Sequence, residues 1–383
     1  MLWVSQFPLR RIHVLGQTVL FISFPYIDTL KILQKWGPGC YFFGHGLESE
    51  LDDLVSALEE SRAAGSPVRA LWCEFPSNPL LRSPPLVKLR ALAEKYGFII
   101  VVDETIGSFA NVEVLPFADV IVSSLSKVFS GETNVLGGRY VPRSCVRQNS
   151  WVGSNIFLAS LVLNPQGKHY DALKRALAIL YEDNYWVEDA VFMERNSRDF
   201  APRVKKMNRN TEMLCEYLRS RSIAGLSASD ADSDRALVIK DVYYPKWVTH
   251  ENYDECRIGS KKQISRSASR SGGTHTKEDV PEGGYGMLFT LTFTSEYASE
   301  IFYDALTTEK GPSLGTNFTL ASPYAILAHY NELEWAAKYG VERGLVRVSV
   351  GLEDENELLS WFREALGKAE QAIQSRLHAN GDI

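Results

Sequence analysis

From Glu48 onward the apolar positions switch between two periods. "ESELDDLVSALEESRAAG" places Leu51, Leu54, Val55 and Leu58 on one face, carries its acids early, and stops at Gly65, which predicts a helix. "PVRALWCEF" then reads as a strand. "PPLVKLRALAEKYG" starts on prolines, spaces Leu86, Leu89, Leu92 and Ala93 along one helical face, and closes at Gly97. "FIIVVDE" and "FADVIVSS" are short continuous apolar runs, the first ending in Asp103 and the second in serines. Upstream, "VLGQTVLFISF" follows Arg10 and Arg11 in the manner of a signal peptide. It carries Gln17, however, and runs into Pro25-Tyr26-Ile27-Asp28 without a small-residue cleavage site, so it reads as a strand. Fully apolar strands separated by helices predict a parallel sheet covered on both faces. The loops leaving the carboxyl ends of such strands form the ligand crevice.

"QGKHYDALKRALAILYEDNYWVEDAVFMERNSRDFAPRVKKMNRNTEMLCEYLRSRS" reads as two or more long helices leading into a second region. From Ala224 that region mixes strands ("RALVIKDVYY", "GMLFTLTF", "LVRVSVGLE") with helices and ends in the amphipathic "ENELLSWFREALGKAEQAIQSRL". The polar, basic "GSKKQISRSASRSGGTHTKED" reads as part of a disordered surface loop over about residues 256–282. The expected organisation is an α/β domain over 1–223 and a smaller α+β domain over 224–383.

The totals narrow the function classes. A 383-residue chain that is 45% hydrophobic and 23% charged has ordinary globular composition and buries a sizeable core. A net charge of −6 argues against nucleic acid or an anionic membrane as the partner. No run approaches the roughly 18 apolar residues of a membrane span. The five cysteines, Cys40, Cys73, Cys145, Cys215 and Cys256, are scattered and odd in number, which fits reduced thiols in a cytoplasmic protein. There is no C-x-x-C pair and no zinc-spaced His/Cys cluster, so no metal site is expected.

The candidate chemistry sits in "SSLSKVFSGETNVLGG", residues 123–138, where Lys127 follows the end of an apolar strand among small hydroxyls and glycines. By position alone, a lysine capping a strand and pointing into water explains it. Phosphate binding of the P-loop kind is disfavoured, because neither G-x-x-x-x-G-K-[ST] nor a strand-following G-x-G-x-x-G occurs. A lysine joined to the aldehyde of pyridoxal phosphate is the third reading. It needs a carboxylate to keep the pyridine nitrogen protonated, hydroxyls and amides for the phosphate, and an apolar or aromatic plate for the ring. Asp103 at a neighbouring strand end supplies the first, and Ser124 and Ser126 supply part of the second. On this reading the amine is kept for reaction, and desolvation lowers its pKa.

"EFPSNPLL", "VVDET", "SSLSK", "NVLGG", "PSLG" and "VRVSVGLED" occur in the order found in the Cys/Met-metabolism PLP-dependent enzymes. The chain resembles the cystathionine γ-synthase family from about Phe24 to about Asp354, and "FPYIDTLKIL" and "SLGTNFTLASPY" look most like its fungal branch. The resemblance implies a type I PLP-dependent transferase fold, α/β with a mostly parallel sheet flanked by helices and a smaller α+β C-terminal domain. It implies pyridoxal 5'-phosphate as cofactor, amino-acid substrates, a homo-oligomer (dimer or tetramer), and γ-replacement on an O-activated homoserine with L-cysteine or another nucleophile. This is transsulfuration in methionine and cysteine biosynthesis. A γ- or β-lyase would use the same site.

Carried over residue by residue, Lys127 matches the cofactor lysine, Asp103 the partner of the pyridine nitrogen, and Ser124 and Ser126 the phosphate-binding hydroxyls. Asn78, in P-S-N-P, matches the asparagine near the phenolic oxygen; without the family it reads as a side chain bonded to its own turn. Tyr26 matches the tyrosine that stacks on the ring and assists proton transfer, though composition alone makes it a core aromatic. Arg347, inward on an alternating strand, needs an anionic partner; the resemblance makes that the substrate α-carboxylate, and a salt bridge to Glu353 or Asp354 is the structural alternative. Ser313, in P-S-L-G, matches a substrate-positioning residue, or is an ordinary turn serine. His45 and Tyr285 read as loop and strand-entry residues.

The family also carries an upstream segment, with Gly and Met amides cupping the phosphate and a Tyr-x-Arg reaching a neighbouring subunit's phosphate. "MLWVSQFPLRRIHVLGQ" contains no such motif, so the chain reads as an N-terminally truncated member, and a non-catalytic homologue is the reading from another class.

Overall fold

The computed structural model describes residues 19–36, 40–135, 138–140, 156–180, 185–226, 237–263, 265 and 282–380. The chain forms two compact units. One takes in Met1–Asn78, Arg82–Phe200 and Thr249–Gly283, the other Pro79–Leu81, Ala201–Val248 and Gly284–Ile383.

The first unit is built on seven strands: β1 (Val19–Ile22), β2 (Cys40–Phe43), β3 (Ala70–Glu74), β4 (Ile99–Asp103), β5 (Val120–Ser123), β6 (Gly138–Tyr140) and β7 (Ile156–Leu163). Their order is β2-β1-β3-β4-β5-β7-β6. The run from β2 to β5 is parallel throughout. β7 runs antiparallel to β5 and β6 parallel to β7, so these two strands turn against the other five. Leu20, Phe21, Ile22, Leu71, Trp72, Val101, Val102 and Val120 are buried, which is why these strands show no alternation: both faces of the sheet are covered.

The helices that return the chain between parallel strands carry the expected signals. The helix Leu51–Ala63 buries Leu54, Ala57, Leu58 and Ser61. The helix Leu86–Tyr96 follows its prolines, buries Leu86, Leu89 and Ala93, and ends at Gly97, whose φ of 83° and N–H bond to the Ala93 carbonyl make a left-handed cap. Gly97 then feeds directly into β4.

The segment Thr249–Gly283 completes this unit. Val112 and Arg257 form an antiparallel bridge, the Glu113 amide donates to the Cys256 carbonyl at 2.8 Å, and the Ile258 amide donates to Asn111 at 2.9 Å. Tyr253 and Cys256 are fully buried, and the Tyr253 ring stacks on Phe75 with centroids 5.8 Å apart. The beginning of the expected disordered loop is therefore packed: its polar stretch follows a buried tyrosine and cysteine that hold the backbone against the sheet unit. Residue 264 and residues 266–281 lie outside the described residues.

The second unit carries a five-stranded sheet of β8 (Ile239–Tyr243), β9 (Leu288–Phe293), β10 (Glu309–Lys310), β11 (Leu320–Pro323) and β12 (Val346–Ser349). The order is β10-β11-β12-β9-β8, antiparallel except for β10 against β11. Phe289, Phe293, Phe302 and Phe362 form its aromatic core. The long helix Phe200–Arg219 belongs almost wholly to this unit. Its Arg203 donates to Asn317 at 2.9 Å, and its Asn210 amide donates to the carbonyls of Gly351 and Glu353, both at 3.1 Å. Among the described residues no helix is long and apolar enough to cross a membrane.

Candidate active site

Because β1, β3, β4 and β5 are parallel, the residues that follow them emerge at one end of the sheet. Asp103 is the last residue of β4, in register with Val122 of β5 and with Glu74 of β3. Beyond it the Glu104 amide donates to the Val122 carbonyl at 3.0 Å, which keeps the strand ends together. Thr105 ties them further. Its amide donates to Asp103 Oδ1 at 2.9 Å, its hydroxyl also bonds the Asp103 carboxylate, and the same hydroxyl oxygen accepts the Ser124 amide at 2.8 Å. Burial raises the Asp103 pKa, and the two Thr105 bonds oppose that rise. A carboxyl group held this way favours a cationic partner, and a protonated ring nitrogen is one.

The segment after β5 is a turn pinned from below. Leu125 is buried in a cluster with Val135 and Met193, against which Phe109 and Phe129 pack. Ser124, Ser126 and Lys127, on either side of that anchor, are half-buried. Backbone bonds close the turn: Ser130 donates to Leu125 at 3.0 Å and Gly131 to the Lys127 carbonyl at 2.8 Å. One inward leucine thus fixes the positions of two hydroxyls and an amine.

Tyr26 and Asn78 meet through a residue that the motif reading passed over. Glu74, the last residue of β3, is 5% exposed. It accepts the Tyr26 amide on Oε1 at 2.5 Å and the Asn78 amide on Oε2 at 3.1 Å. Burial, reinforced by the Asp103 charge, pushes its pKa up to about 8, against the lowering effect of those two amides. Thr105 was passed over in the same way. The available signal was an acid closing a fully apolar strand in "ALWCEF", since a buried carboxyl needs donors.

Two measurements bear on these links. Thr105→Ala removes the hydroxyl shared by Asp103 and Ser124 and is expected to weaken pyridoxal phosphate binding by about 10-fold, at roughly 1–2 kcal/mol for the lost bonds. Thr105→Ser is expected to retain affinity; equal weakening in both, measured by spectral titration, would assign the effect to the lost methyl group. The raised pKa of Glu74 also links stability to pH. Relative to its ordinary value of 4.5, the folded protein keeps the proton longer than the unfolded chain does. The stability contributed is complete below about pH 4.5 and is lost as pH rises toward about 8. Glu74→Gln is expected to flatten that part of a Tm-against-pH curve.

In the second unit, Arg347 and Ser313 come together. Arg347 is 3% exposed, and its Nη2 donates to the carbonyls of Pro312 at 2.6 Å and Ser313 at 3.0 Å. Its guanidinium lies over the Tyr324 ring, 4.6 Å from the centroid. Ser349, two residues along β12 and so on the same face, accepts the Gly315 amide at 2.7 Å, holding the P-S-L-G turn against the strand. Of the acids offered above as structural partners, Glu353 accepts the amide and hydroxyl of Thr319, and Asp354 accepts the amide of Asn356.

An acid closing one parallel strand and a turn bearing serine hydroxyls and a lysine after the next thus stand at the end of the sheet where α/β folds bind their ligands. Residues 15–367 match the model of the Cys/Met metabolism PLP-dependent enzymes. The chain belongs to that family. It is 53% identical over 354 residues to a cystathionine gamma-synthase-like enzyme, iboG2, of Amanita muscaria, an alignment covering 91% of this chain and 50% of that protein. It is 44% identical over 354 residues to the cystathionine gamma-synthase of Neurospora crassa, covering 92% of this chain and 47% of that one. The chain thus spans about half the length of these curated relatives. Among solved structures, cystathionine gamma synthase from Xanthomonas oryzae pv. oryzae, in complex with aminoacrylate and cysteine, superposes with a TM-score of 0.66 at 22% identity, covering 93% of this chain and 76% of that one. At that identity the likeness shows the fold.

Proposed function

We propose that this chain carries the site of a pyridoxal-phosphate-dependent γ-replacement on an O-activated homoserine, with L-cysteine or another nucleophile as acceptor. The observation that carries the reading is the link from Asp103 through Thr105 to Ser124, at the strand end that leads into the Lys127 turn. It holds an acid suited to a protonated ring nitrogen at the strand end next to the turn that carries the Ser124 and Ser126 hydroxyls and Lys127, which supports the reading. The names of the fungal relatives support the same reaction class.

Asp103 would keep the ring nitrogen protonated, and Ser124 and Ser126 would hold the phosphate. Tyr26 would stack on the ring and Asn78 would meet its phenolic oxygen. The cofactor, when bound, supplies an electron-withdrawing ring that stabilises negative charge at the substrate α-carbon. Lys127 Nζ holds the cofactor before substrate arrives and then takes the α-proton. Arg347 binds the substrate carboxylate, with its planar fork set by the two turn carbonyls and the Tyr324 ring, and Ser313 positions the same end of the substrate. The protein works as a cytoplasmic homo-oligomer, dimer or tetramer, which light scattering would measure.

Incubation with cofactor, an O-acyl- or O-phosphohomoserine and cysteine tests the reaction. Cystathionine is the expected product. Release of α-ketobutyrate alone would make the protein a lyase, and absence of any cofactor absorbance would make it a non-catalytic homologue.

A further inference from the structure

Glu74 is the one acid of β3, and it closes a strand whose other members are all apolar and buried. Burying a carboxyl group in such a setting costs free energy unless donors meet it. The donors come from two different loops: the Tyr26 amide from the loop after β1, and the Asn78 amide from the loop after β3. β1 and β3 are hydrogen-bonded neighbours, and Glu74 is in register with Asp103 on the other side, so the two acids leave the same face of the sheet. A single side chain therefore ties together the backbones of two residues placed above against the cofactor.

We propose that Glu74 is a positioning residue. Its carboxyl group clamps the main chain at Tyr26 and Asn78, setting the ring-stacking tyrosine and the phenolic-oxygen asparagine in one fixed relation. The cofactor part of this rests on the functional reading above; the clamp itself does not. A carboxyl group suits the task because each of its oxygens accepts one amide. An amide side chain of the same size has a single acceptor oxygen, and its NH₂ would face the second backbone donor. Glu74→Gln therefore keeps the volume but satisfies only one loop, and Glu74→Ala satisfies neither. The raised pKa of Glu74 is consistent with a carboxyl group retained in a site that otherwise excludes charge.

The test is amide hydrogen exchange on the cofactor-free full chain, resolved at Tyr26 and Asn78, followed by visible circular dichroism of the cofactor-loaded protein. In Glu74→Gln at least one of the two amides is expected to exchange about 5–10-fold faster, the equivalent of one lost hydrogen bond. The induced dichroism of the bound cofactor should fall, with kcat reduced more than KM is raised. Asp119→Asn is the control for general destabilisation. Asp119 is also buried and accepts the Ile100 amide at 2.9 Å and Arg90 at 2.8 Å, so its loss should lower Tm and leave the Tyr26 and Asn78 amides alone. Unchanged exchange at both amides in Glu74→Gln would overturn the clamp, whether or not cofactor binds. Faster exchange with unaltered dichroism and kcat would overturn its role toward the cofactor. If wild-type protein shows no cofactor absorbance, the functional reading fails, and hydrogen exchange still decides the clamp.

Discussion

Lys127→Ala is expected to abolish the visible absorbance band of the lysine-bound cofactor and to lower the rate of the proposed γ-replacement by about 10³-fold or more. On the proposed function two contributions would be lost together, the covalent attachment and the general base, and a positioned base alone is worth roughly 10²–10⁴-fold. The substitution should cost little stability. The turn is held by Leu125 in its apolar cluster and by main-chain bonds at Leu125, Lys127 and Gly131, none of which uses the amine. Tm within a few degrees of wild type is therefore part of the expectation. Retained absorbance in Lys127→Ala would place the reactive amine elsewhere, and a large fall in Tm with absorbance unchanged would return Lys127 to a structural part.

Arg347→Lys is expected to raise KM for the amino-acid substrate by about 10–100-fold while leaving the cofactor spectrum as in wild type. Lysine keeps the charge but loses the planar fork, so one charge-assisted bond to the carboxylate goes, at roughly 1.5–3 kcal/mol. The geometry gives a reason for the arginine beyond charge. Its Nη2 is directed at the Pro312 and Ser313 carbonyls and its face at Tyr324, so the guanidinium plane is fixed before substrate arrives. The same contacts raise a rival explanation, that Arg347 only fastens the P-S-L-G turn. Thermal melts separate the two. A lowered Tm with KM unmoved would leave Arg347 as a tether, whereas a raised KM with a small change in Tm supports carboxylate binding.

Much of this was legible in the pattern of residues because parallel strands announce themselves. Ile99–Asp103 and Val120–Ser123 are apolar until a polar residue ends them, and in a parallel sheet those polar ends emerge together. Asp103, Ser124 and the Lys127 turn follow from that rule. The direction of β7 does not: the pattern within one strand says nothing about which way its neighbour runs, so its antiparallel pairing with β5 needed coordinates. β2 is short and begins just after the glycine-rich "GPG", leaving no period to read. Glu74 and Thr105 were present in the quoted motifs, yet their bonds run to main-chain amides in other loops. Such bonds leave no spacing rule in the sequence, and only the fold brings the partners near. The helix Phe200–Arg219 shows the same limit, since its place with the second sheet depends on side-chain bonds to residues more than a hundred positions away.

The route of the chain carries a practical corollary for anyone wishing to dissect it. Neither compact unit is a continuous stretch, because Thr249–Gly283 comes back to finish the first after Ala201–Val248 has begun the second. A stop codon after Phe200 would strip the first sheet of the Tyr253 ring against Phe75 and the bridge at Val112, exposing an apolar flank to solvent. Swapping halves with a homologue at a single crossover would likewise marry one partner's Val112 edge to the other's Arg257. Recombination respecting this protein's architecture needs paired junctions, one near residue 200 and others bracketing the returning segment.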